Sequence, residues 1–250
     1  MSGSPRSLPA LVDRHPGLAR ILPFGLLLLG IAFDALLKDR LGALPWDPRW
    51  DYAVRSLCAL LALVWLWPRL PELRWRPVPG ASAWLLAGGL GLAVFALWIA
   101  PPLRAFAQSA GGFDARWLRL AAPGQGGSGF TPLDAHGQLQ WGLTAARLAG
   151  SLLVVPVAEE LFWRSFLMRW IENTDFLARD PRQIGLRAWA LQALLFGVEH
   201  ELWLAGIVAG LAYGWLYRRS GRIWLPIAAH ALTNGLLGLW VLQGAHWSYW

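Results

Sequence analysis

Charge is what this chain has least of. Only 15% of its 250 residues are Asp, Glu, Lys or Arg, against about a quarter in soluble domains, so an ordinary water-soluble fold is excluded. A single cysteine, Cys58, lies in an apolar run, which rules out an intrachain disulfide framework or a cysteine metal cluster. No basic stripe is interleaved with exposed polar sequence, so the net charge of +7 does not point to nucleic acid; no nucleic-acid partner is expected. The N-terminal basic residues precede an apolar segment with no small-residue cleavage site after it. Residues 1–17 are therefore read as a cytoplasmic tail and not a removed leader. No internal repeat or inverted symmetry is evident, which argues against a proton-coupled carrier. No serine or cysteine stands in a setting that would activate it as a nucleophile.

What is present is hydrophobic: 56% of residues and a mean hydropathy of +0.41. Eighteen tryptophans cluster near the ends of apolar runs, as in an interfacial belt. Apolar stretches fall at residues 18–37, 52–67, 83–100, 141–171, 184–200, 202–217 and 223–243. The fourth is too long for one straight crossing and several are near the lower limit of about 20 residues. The expected fold is all-α, a polytopic membrane bundle of seven to eight transmembrane helices. Pro156, inside the long stretch, removes a backbone donor and is expected to kink or divide that helix. The expected division is a tail (1–17), a three-helix membrane scaffold (18–100), an extramembrane Gly-rich loop (101–140) and a catalytic membrane domain (141–245). Within the loop, FDARWLRL reads as a short interfacial helix. Arginines at 6, 14 and 20, at 69, 74 and 76, at 179, 182 and 187, and at 218, 219 and 222 share one side after seven crossings. That side is assigned to the cytoplasm, with the N-terminus inside.

The costly residues lie in the back half. Glu159, Glu160 and Arg164 sit within SLLVVPVAEELFWRSFLMRWI, where each ionised group costs roughly 2.5 to 3.5 kcal/mol at a helix centre, so function is the default explanation. Glu160 and Arg164 are four apart and pair along one face; Glu159 points about 100° away and takes a different job. His200 follows Phe196 by four residues, on the same face. His230 and Asn234 repeat that spacing on another segment. A carboxylate, an imidazole and a His/Asn donor pair are the parts for amide hydrolysis: Glu159 with His200 to hold and deprotonate water, His230 with Asn234 to meet the oxyanion. Helix packing and helix-to-helix hydrogen bonding remain the competing explanation for the same groups. Glu159, His200 and His230 could instead hold a zinc ion with an open position. With the residues on three separate segments the metal-free reading is favoured, and no cofactor is expected. Counting from the turn at Arg218, His200 and His230 do not meet on straight rods, so a tilted helix or a broken segment lining a wet cavity is required.

EELFWR (Glu159 to Arg164), FGVEH (Phe196 to His200) and HALTN (His230 to Asn234) together resemble the CAAX prenyl protease and bacteriocin-processing family of intramembrane proteases, over roughly residues 141–243. The resemblance implies that Glu159 activates water, that Glu160, Arg164 and Phe196 are auxiliary, that His200 assists the base, and that His230 and Asn234 form the oxyanion site. It further implies a membrane-anchored protein or peptide substrate in the lipid bilayer. The wording around the motifs is similar to a bacterial subgroup associated with exosortase sorting systems, hence a bacterial inner (plasma) membrane. A non-catalytic immunity or assembly factor is the alternative, since some family members have been proposed to act that way.

Overall fold

A computed structural model describes residues 7–41, 46–100, 130–200 and 202–250. The GQGGSG and FDARWLRL segments of the expected loop lie outside the described residues. Each apolar stretch becomes a helix. Within the stretch read as a tail, α1 is Leu8–Arg14, and it meets α2 (Leu18–Leu41) at a bend of 119°. The next are α3 (Asp51–Leu66) and α4 (Ala81–Trp98), then the long α5 (Trp141–Glu172). Last come α6 (Leu186–Val198), α7 (Trp203–Ser220) and α8 (Trp224–Gly244). Among the described residues there is no strand beyond one isolated antiparallel bridge, Leu133 to Leu139. The fold is an all-α membrane helix bundle.

Its surface and interior are inverted relative to a soluble protein. On α3, Val54, Leu57, Leu61 and Val64 are each more than half exposed, and so are Leu85 and Leu92 on α4. Arg20, Glu160, Arg164, Ser165 and Gln192 are fully buried. Apolar side chains facing outwards around a charged core need a hydrocarbon solvent. The chain is an integral membrane protein. Exposed Trp141 and Trp170 stand near the two ends of α5. At 1.5 Å per residue they are about 40 Å apart, the thickness of a bilayer with its headgroup layers. The Glu pair is therefore near mid-membrane.

Four helical stretches are long and apolar enough to cross, or five if the bent α1–α2 pair counts as one span. The expected seven to eight is not reached by that measure among the described residues, because α6 and α7 fall short. At 13 residues, α6 is only about 20 Å long against a core of about 30 Å. It pairs with α7 as a hairpin whose open ends are stitched together: Arg218 Nε donates to the Ile184 carbonyl at 2.9 Å and Arg182 Nη2 to that of Ser220 at 3.1 Å. The hairpin is tight because α7 presents Gly206, Gly210 and Gly214 at four-residue spacing. A Cβ on Gly206 would come within 2.9 Å of Gly197 Cα, and one on Gly210 within 2.9 Å of Ala193 Cα. Small residues at this period let helix backbones touch in membranes. Gly221, at φ 68°, ends α7 in the left-handed conformation that glycine adopts without strain.

The front of the bundle is clamped by one buried ion pair. Glu72, in the turn after α3, takes both Arg20 Nε and Nη2 at 2.7 Å, and Ser165 Oγ donates to it at 2.6 Å. Arg20 is thus a structural residue joining α2 to that turn and, through Ser165, to α5. It is more than a topology signal.

Candidate active site

Helix α5 carries the Glu pair through Pro156 without breaking. It is wound with one extra residue per turn over Gly150–Val154 and again over Leu161–Leu167, and both glutamates stand between these two π-turns. Such insertions are frequent at functional sites, where they rotate the side chains that follow. The first is pressed by α3: a Cβ on Gly150 would fall 2.6 Å from Tyr52 Cε1 and 2.7 Å from Ser56 Oγ.

The two carboxylates do have different surroundings. Glu160 is fully buried, with Arg164 Nη1 and His230 Nδ1 each 3.0 Å from its Oε1. The pairing with Arg164 was legible in the sequence; the contact with His230 on α8 was not. Arg164 makes the ion-pair distance but none of its nitrogens has a well-aligned hydrogen bond, so the attraction is Coulombic more than directional. Its guanidinium lies over the Phe196 ring at 4.3 Å and faces Tyr213 at 5.5 Å, a cation–π cradle. Glu159 is 8% exposed and its Oε2 is buried without a partner.

Phe196 joins the motifs. Its ring centroid is 4.6 Å from that of His200 and 6.2 Å from that of His230, with Trp163 of α5 at 5.8 Å. His200 lies past the end of α6, at the tip of the hairpin, with the Trp98 ring edge-on at 5.4 Å. The break between α6 and α7 carries it there. Its Nδ1 is 2.7 Å from the Phe196 carbonyl. A carbonyl only accepts, so Nδ1 carries the proton and Nε2 of the neutral ring holds a lone pair.

His230 is held on two sides. Its ring stacks on Tyr213 at 5.1 Å, and Tyr213 donates its hydroxyl to Thr233 at 2.8 Å. Thr233 is itself bonded to the Gly91 carbonyl on α4. There the helices touch, since a Cβ on Gly91 would meet the Ala229 carbonyl oxygen at 2.5 Å. Asn234, one turn on, donates Nδ2 to the Ser151 carbonyl at 2.9 Å.

Two features stand outside the three motifs. Glu199 has a buried oxygen without a partner. Its signal in the sequence is an acidic residue immediately before His200 at the end of an apolar run. The other is the glycine spacing of α7, which the sequence displays openly. Among the described residues, no three of His, Cys, Asp and Glu are gathered closely enough to hold a metal ion. The trio Glu159, His200 and His230 does not fit zinc as arranged, so no chemistry is derived through a metal. An open cavity of about 520 Å³ near the α1–α2 bend, lined by Arg14, His15, Phe166 and Trp170, is separate from this cluster.

A family match falls on the same segment. Residues 141–236 match the family described as Rce1-like, type II CAAX prenyl endopeptidase. The chain is 28% identical over 97 residues to the "Putative membrane peptidase YdiL" of Bacillus subtilis (strain 168). That alignment covers 37% of this chain and 36% of the relative, so the chain spans about a third of that protein's length. No solved structure matches. The back half carries the CAAX-protease family resemblance first drawn from the three motifs; the exosortase-associated subgroup is not reached by these matches.

Proposed function

We propose that the chain is an intramembrane endopeptidase of the CAAX-protease type, hydrolysing a peptide bond in a membrane-anchored substrate by glutamate-activated water. One observation carries the reading: in the buried cluster Glu160 is engaged through Oε1 by both Arg164 and His230, and His200 by the Phe196 carbonyl, whereas the neighbouring Glu159 has a buried Oε2 without a partner. Water held between Glu159 and Nε2 of His200 gives its proton to Glu159 and attacks the carbonyl carbon. The developing oxyanion lies beside His230 in its doubly protonated form, with Nδ1–H donated to Glu160 and Nε2–H to the oxyanion; the second amide N–H of Asn234 flanks it. Collapse of the tetrahedral intermediate breaks the C–N bond, and Glu159 returns its proton to the leaving amine.

No cofactor enters this sequence of steps. The partners are the bilayer and a tethered peptide, with no nucleic acid, in a bacterial inner membrane with the N-terminus cytoplasmic. The motif wording further suggests the subgroup associated with exosortase systems. A second reading, a non-catalytic immunity or assembly factor, draws on the polar ties between α5 and α8, Glu160 to His230 and Ser151 to Asn234. Purified protein in nanodiscs with a membrane-anchored peptide separates the two. Glu159→Gln should abolish cleavage at unchanged thermal stability; retained cleavage overturns the assignment of the base.

A further inference from the structure

Pro156 creates a backbone vacancy that a residue of α8 fills. In the π-turn over Gly150–Val154, the Val155 N–H donates to the Gly150 carbonyl, five residues back. In that register the next carbonyl, Ser151, would receive the N–H of residue 156. Residue 156 is proline and has none. In ordinary α-helical register Ser151 would receive Val155 instead, but that donor is spent on Gly150. The Ser151 carbonyl is therefore left without an intrahelical partner in a region where solvent offers none, which membrane helices remedy with side chains from neighbours. Asn234 Nδ2 reaches it at 2.9 Å. The amide orientation is fixed by this contact, because its oxygen cannot face another oxygen.

We propose that Asn234 is a positioning residue that splices this orphaned carbonyl and thereby holds the π-turn ahead of the Glu pair. The turn matters because one inserted residue rotates everything after it by about 100° relative to a continuous α-helix. If the helix relaxes, Glu159 turns away from the buried position it now holds. The consequence for turnover rests on the peptidase reading; the splice itself does not.

The test is a thermal and kinetic cycle between Asn234→Ala and Pro156→Ala in nanodiscs. Asn234→Ala alone should lower Tm by about 4 to 8 °C, as an unpaired buried carbonyl does in a chain of this size. It should also lower kcat at least about tenfold with KM little changed. Pro156→Ala restores a backbone donor in register, so adding it to Asn234→Ala should recover most of the lost Tm and part of the lost kcat, the remaining deficit being the oxyanion contact that only Asn234 supplies. Asn234→Asp, which sets a carboxylate oxygen against the carbonyl, should lose Tm at least as far as the alanine variant. Full Tm with lost kcat in Asn234→Ala, or equal Asn234 effects on Tm with and without Pro156, overturns the splice and leaves Asn234 with the oxyanion contact alone. If wild-type protein cleaves nothing, the peptidase reading fails while the Tm cycle still decides the splice.

Discussion

Two adjacent buried glutamates should respond to the same conservative change in opposite ways. Glu160→Gln removes the charge that sits 3.0 Å from both Arg164 and His230, leaving a fully buried guanidinium with no anion at contact distance. Breaking a buried pair from one side costs about 3 to 5 kcal/mol. The imperfect alignment of the Arg164 nitrogens and the Phe196 and Tyr213 rings around it place this case near the lower end. At roughly 2 to 4 °C per kcal/mol for a chain of this size, Tm should fall by about 6 to 12 °C. Glu159→Gln removes a carboxylate whose buried Oε2 has no partner. Its Tm should stay within about 2 °C of wild type, or rise, because an unpaired buried charge is itself costly. Intrinsic fluorescence of the eighteen tryptophans during a thermal ramp in nanodiscs reads both, beside cleavage of a model membrane peptide. A Glu160→Gln protein as stable as wild type, or a Glu159→Gln protein that melts early, refutes the division of labour between them.

Glu72→Ala should cost about 3 to 5 kcal/mol, since Arg20 would be stranded in the core; an Arg20→Met/Glu72→Leu pair should recover much of it, and equal losses in single and double variants would show that the clamp is not coupled. Tyr213→Phe removes the hydroxyl bonded to Thr233 and should cost about 1 kcal/mol, with kcat falling as the ring under His230 loosens; an unchanged kcat would mean that the stack does not orient His230. Outside the spans, Asp47 is held below its ordinary carboxylate range by the Arg49 side chain first and the Arg49 backbone N–H second, while Arg49 Nη1 anchors the Leu133 carbonyl at 2.7 Å. Because the folded form has the lower pKa, this tie contributes fully above the ordinary Asp range near 3.8 and is lost as pH falls through the folded value. Protection of the amides across residues 130–140, taken relative to their intrinsic exchange rates at each pH, should therefore fall below about pH 4 in wild type, but stay level in Asp47→Asn; identical protection profiles would remove Asp47 from the tie.

What the sequence determined by itself was everything set by composition and by spacing along one helix. Sparse charge and long apolar runs require a lipid solvent, and side chains four residues apart share a helix face, so the Glu160–Arg164 pair and the Phe196–His200 pair follow from local geometry. The three motifs and the membrane fold were legible on those grounds. Only the tertiary structure decided which groups meet across helices: that His230 faces Glu160, that Phe196 lies between two imidazoles, and that Asn234 takes the carbonyl orphaned by Pro156. Those contacts depend on the phase of α5 and on how closely its neighbours approach. The phase changes by about 100° with each inserted residue. The approach is set by glycines such as Gly91, Gly206 and Gly210, which touch backbone on another helix. The glycine spacing stands openly in the sequence, but which helix it meets is a property of packing that no local pattern encodes.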